Sequence, residues 1–111
     1  MKKFLVIYHT PAGFKKQDSS PEDMAEGMKA WMTWAEKCGS NLLDMGSPLG
    51  NGTALSPDGK SSASKQDVAG FSVLQAENME AAKKLLDGHP HLSWDASCSI
   101  EIHEYLPMPG M

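Results

Sequence analysis

The chain has 111 residues, 41% of them hydrophobic and 22% charged, the make-up of an ordinary folded domain. Its formal net charge is −4, its lysines are scattered, with doublets at Lys2-Lys3, Lys15-Lys16 and Lys83-Lys84, and arginine is absent. No basic stripe exists for nucleic acid, no guanidinium fork for phosphate or carboxylate, and no apolar run long enough to span a membrane.

Lys2-Lys3 before the apolar residues 4–8 imitates the start of a secretory signal, but the run is too short and Thr10-Pro11 ends it. Residues 3–9, dense in β-branched and aromatic side chains, therefore predict a first strand. A polar loop leads to Ser20-Pro21-Glu22-Asp23, which reads as a helix start: Ser20 as N-cap, Pro21 at the first helical position, Asp23 reaching back. Met24, Met28, Trp31, Met32, Ala35 and Cys38 then recur at three- and four-residue steps, one apolar stripe that should face a sheet, with Gly39 closing the helix. On that register Met28→Ala is expected to cost about 2–4 kcal/mol and Lys29→Ala nothing.

Residues 41–45 predict a second strand. In the Gly-, Ser- and Pro-rich stretch 46–65, Ser56-Pro57-Asp58-Gly59-Lys60 is a turn that should tip a short hairpin. Residues 68–76 predict another strand. Asn78 can cap a second helix in which Met79, Ala82, Leu85 and Leu86 share a face, closed by Gly88 and Pro90. An irregular stretch through His91 and Trp94 leads to a last strand over 97–106. Cys38 and Cys98 read as small buried hydrophobes, since two cysteines make no disulfide framework.

This order predicts an α+β chain, a ferredoxin-like βαββαβ sandwich with both helices on one face of an antiparallel sheet, as one cytoplasmic domain over 1–111. Strand one is apolar on both faces: Phe4, Val6 and Tyr8 point one way, Leu5 and Ile7 the other. Helices cover only one of those faces. A second copy of the sheet would cover the other, making a homodimeric α/β barrel; the 46–65 loop or the C-terminal tail is the alternative cover.

Several segments together resemble the YCII-related family of the dimeric α/β barrel superfamily. They are the opening Met1-Lys2-Lys3-Phe4-Leu5-Val6-Ile7-Tyr8, the Trp-rich first helix, Leu42-Leu43 leading to Gly46 and Pro48, Val68-Ala69-Gly70-Phe71-Ser72-Val73-Leu74, His89-Pro90, and Ile100-Glu101-Ile102. The resemblance implies the same dimeric fold and, by analogy with barrel relatives that are isomerases, dehydrochlorinases and oxygenases, a small-molecule enzyme role. Some members pair a helix-one His with an Asp after strand two. Here Lys29 falls where that His would be and Asp58 is a loose counterpart of the Asp, so that pair is not carried over.

The last strand alternates sharply, with Cys98, Ile100, Ile102 and Leu106 apolar against Ser99, Glu101, His103 and Tyr105. Glu101 and His103 then point into the dimer barrel, and His9 lies nearby if strands one and four are neighbours. A carboxylate beside imidazoles is the arrangement that general acid/base catalysis uses, and His103, Glu101 and His9 are the candidate catalytic groups. The alternative is a polar strand face at a wet rim. Tyr8, His89, His91 and Trp94 are candidate ligand-binding residues. His89 has a second reading, as a cation beside the helix carbonyls. Two histidines around Pro90 are too few for a zinc site, so no metal is expected. The chain also lacks a phosphate loop, a nucleophile elbow and a Cys-x-x-Cys pair. The expected function is cofactor-free acid/base chemistry on a small organic ligand, or else a non-catalytic binding or accessory module with the same pocket.

Overall fold

The computed structural model describes residues 1–11, 21–64, 67–94 and 97–109, with side-chain surroundings given for all of these but 21–24 and 93–94. Four strands form one antiparallel sheet: β1 (Lys2–His9), β2 (Leu42–Pro48), β5 (Val68–Ala76) and β6 (Ser99–Glu104), in the order β2-β5-β1-β6. With the helices α1 (Pro21–Cys38) and α2 (Met79–Leu85) this is the ferredoxin-like arrangement. The short strands β3 (Thr53–Leu55) and β4 (Ser61–Ala63) make the expected hairpin. Its turn has Gly59 at φ +84°, and the Lys60 amide donates to Asp58 Oδ1 at 2.9 Å. A short helix α3 (Pro90–Trp94) stands where an irregular stretch was expected. Pro90 does not simply end the preceding helix; it opens the next one, at the position where its missing N–H costs nothing.

Phe4, Val6 and Tyr8 are buried against the helices together with Leu74, Ala76, Ala82 and Leu86. Among the described side chains of α1 the buried ones are Trp34 and Cys38, with Trp31 partly buried beside them. Met28 and Met32 are 61% and 49% exposed, which overturns the expected register and with it the expected cost of Met28→Ala. The helix is turned so that its indoles, not Met28 and Met32, meet the core. Trp34 Nε1 donates to the Leu85 carbonyl at 2.7 Å and Lys37 Nζ to the Asp87 carbonyl at 2.9 Å, fastening α1 to the end of α2. The predicted N-cap at Ser20 lies outside the described residues, while Gly39 does close α1, at φ +56°. Asn78 caps α2, its side chain accepting from the Ala81 amide at 2.8 Å.

Strand β6 is shorter than expected, because β1 begins at Lys2 and offers little to pair with residues beyond Tyr105, whose amide still donates to the Lys3 carbonyl at 2.9 Å. Leu106 is consequently exposed and does not continue the apolar set of Ile100 and Ile102. Cys38 and Cys98 are both buried. Among the described residues no helix is long and apolar enough to cross a membrane.

Candidate functional site

Directly opposed residues in an antiparallel pair share a face, so the register places each side chain. His103 stands opposite Leu5, which stands opposite Val73; Glu101 stands opposite Ile7, which stands opposite Phe71. The face away from the helices thus has an apolar middle (Leu5, Ile7, Phe71, Val73) and a polar edge along β6. His9, opposite Ser99, completes that edge. A register irregularity falls between Tyr8 and His9, and such bulges re-aim the side chain that follows.

The three residues expected to act together meet there. His103 Nε2 donates to Glu101 Oε2 at 2.5 Å, and His9 Nε2 lies 3.0 Å from Glu101 Oε1. One carboxylate therefore bridges two imidazoles. On its other side His9 Nδ1 lies 3.5 Å from Asp67 Oδ2. Neither His9 contact has hydrogen-bond geometry, although both ring nitrogens are buried; they are ion pairs when the ring is protonated. The hydrogen bond from His103 holds the Glu101 carboxyl below its ordinary value, partial desolvation works against this, and the charge of His9 helps it. Glu101 and His103 remain 54% and 57% exposed in the single chain. A cleft of about 480 Å³ opens beside them, lined by His9, Thr10, Asp67, Ser99 and Glu101 among others.

Sequence reasoning missed Asp67. It directly precedes β5, and the antiparallel pairing of β5 with β1 brings the start of one strand to the end of the other. The backbone confirms the closeness, since the Thr10 amide donates to the Asp67 carbonyl at 2.9 Å. The signal was present once the strand order was assumed.

Tyr8, His89 and His91 lie on the opposite, helix-covered side of the sheet and are not among the residues of the cleft. Tyr8 donates to Ser72 Oγ at 2.7 Å, because the Ser72 hydroxyl spends its own proton on the Met45 carbonyl, also at 2.7 Å. Burial pushes the phenol up to about 12, so it stays protonated. His89 is fully buried, its ring centroid 5.0 Å from Tyr8, 4.5 Å from Trp31 and 4.4 Å from Trp34. Its Nδ1 accepts from the His91 amide at 2.9 Å, which leaves the proton on Nε2, without a hydrogen-bond partner among the described residues. Burial, helped by His91, lowers His89 to about 4. It is neutral at physiological pH, and the reading of His89 as a cation beside the helix carbonyls is corrected. His91, also buried, donates from Nε2 to the His9 carbonyl at 2.9 Å, tying α3 to the strand that presents His9. The side chain of Trp94 lies outside the described ones.

The fold has known relatives. The 5-chloro-2-hydroxyhydroquinone dehydrochlorinase TftG from Burkholderia phenoliruptrix, solved in complex with 2,5-dihydroxybenzoquinone, superposes with a TM-score of 0.55. The match covers 94% of this chain and 93% of that chain at 12% sequence identity, a likeness of fold alone. No curated protein matches the sequence. The profile of the YCII-related domain matches residues 1–106, nearly the whole length, and this chain belongs to the YCII-related family.

Proposed function

We propose that this protein is a homodimeric, cytoplasmic small-molecule enzyme that moves protons at His9, Glu101 and His103 without a cofactor, each copy forming one domain over 1–111. The observation that supports it is the Glu101 carboxylate shared between two imidazoles at 2.5 and 3.0 Å. Such a group can take a proton from a substrate on one side while a protonated ring returns one on the other. A second copy packed on the apolar middle of the open face would dry this edge and strengthen its electrostatics.

The structural neighbour acts on a hydroxylated ring, and 1,2,4-trihydroxybenzene is a suitable first probe. Its ring C–H groups exchange with solvent through a keto tautomer: a proton adds at carbon as a hydroxyl loses one, and the reverse step removes the carbon-bound proton. Anaerobic proton NMR in D₂O would follow loss of the ring signals. The expected result is exchange faster than in buffer alone, falling roughly 100-fold in Glu101→Gln and in His103→Ala. Exchange no faster than in buffer, across this and related enolisable rings, would count against the reading.

A second reading, a non-catalytic binding or accessory module, is favoured by the exposure of Glu101 and His103 in the single chain. It predicts ligand binding with no exchange.

A further inference from the structure

The cleft at the end of β1 has a definite charge character. Asp67 and Glu101 stand on either side of the His9 ring, 3.5 and 3.0 Å from its two nitrogens, while Thr10 and Ser99 add hydroxyls. Among the residues lining the cleft two carboxylates stand against one imidazole, with His103 on Glu101 just outside the lining. No lysine lines it among the described residues, and the chain has no arginine to offer. An incoming carboxylate or phosphate would meet two carboxylates and, among the described residues, no lysine. The two carboxylates weight the hydrogen-bonding capacity toward acceptors, beside the Thr10 and Ser99 hydroxyls. Carboxylate oxygens only accept, and the His9 ring between them lies within 3.5 Å of both. A ligand would satisfy the outward oxygen lone pairs by donating.

We infer that this cleft binds a small molecule that donates hydrogen bonds and carries no negative charge, a hydroxylated or ammonium-bearing compound held by Asp67 and Glu101. This extends the acid/base reading, because Glu101 belongs to both, and it assigns Asp67 a role in binding. The cleft, about 480 Å³, is the size of a site for a compact ring or short-chain molecule.

Three probes matched in size, catechol, benzylamine and benzoate, separate the possibilities. Each is titrated into the full-length ¹⁵N-labelled protein at neutral pH, and amide shifts of Thr10, Asp67, Ser99 and Glu101 are followed. Saturable shifts with catechol or benzylamine, and none with benzoate, are expected. A response to catechol alone identifies hydroxyl recognition, and to benzylamine alone ammonium recognition. Asp67→Asn should weaken whichever donor binds by about tenfold, the loss of one charge-assisted hydrogen bond, and Asp67→Ser should do the same if the amide variant is poorly folded. Benzoate binding as tightly as the donors, no binding by any probe, or an affinity indifferent to both Asp67 variants overturns the inference. Binding is read without turnover. Donor binding in a protein that catalyses no exchange would sink the acid/base reading alone.

Discussion

At residue scale, the same residue type takes two opposite roles on the two faces of the sheet. His103 keeps one nitrogen on a carboxylate in water's reach, while His89 is enclosed by Tyr8, Trp31 and Trp34 and stays neutral. The difference makes a pH prediction with a definite sign. His89 is lowered from 6.5 to about 4, so below 6.5 the unfolded chain takes up a proton that the folded chain refuses. Stability is full above 6.5, falls as pH drops toward 4, and the loss amounts to about 3 kcal/mol. Urea denaturation across that range should show it, with a shallower slope in His89→Gln; identical slopes would mean the ring is not buried as described. Glu101 adds a loss of the same sign at lower pH, since its folded carboxyl sits below the ordinary value. A ¹³C titration of Glu101 should place its midpoint below that of ordinary glutamate, and His103→Ala should move it upward. A midpoint unmoved by that change would mean His103 is not its partner.

At the scale of elements, α1 and β2 each turn on one geometrical requirement. Apolar residues at 28, 31, 32, 34, 35 and 38 cover so much of the α1 circumference that periodicity alone does not set which part faces inward. Packing set it: the indole of Trp34 is long enough to reach the Leu85 carbonyl across the helix pair. Trp34→Ala should cost about 3–5 kcal/mol and Met28→Ala less than about 0.5 kcal/mol in urea denaturation, and equal costs would restore the other register. In β2 the irregular register around Asp44 and Ser47 is made possible by Gly46, at φ +82°. A Cβ built there would lie 1.6 Å from the Phe71 carbonyl oxygen, so the strand cannot accept one without moving off β5. Gly46→Ala should destabilise by at least about 3 kcal/mol, strain and clash together, in the same measurement.

At the scale of the whole molecule, the radius of gyration is 15.8 Å, against about 13 Å for a compact chain of this length. Part of the excess is the β3–β4 hairpin, whose six strand residues are all exposed, Leu55 by 79%. With the half-covered residues Leu5, Ile7, Phe71 and Val73 of the open face, this is a surface suited to a second copy, as proposed above. Light scattering at micromolar concentration should return twice the chain mass, and Ile7→Lys, which places a charge in the middle of that face, should return the chain mass. A monomeric wild type would remove the dimer from the proposal and leave Glu101 and His103 permanently wet.

What the chain determined by itself was local. Alternation in β1 and β6, the Asn78 cap, the Ser56 to Lys60 turn and Gly39 depend on neighbours a few residues away, and sequence spacing records them faithfully. Those signals, with the strand order they imply, were enough to bring His9, Glu101 and His103 together. The phase of α1, the enclosure of His89 among aromatic rings, Asp67 beside His9, and the separation of Tyr8, His89 and His91 from the open cleft were decided by the tertiary structure. Each depends on which residues distant in the chain share one volume, and a periodic pattern carries the direction of a side chain but not the identity of what it meets.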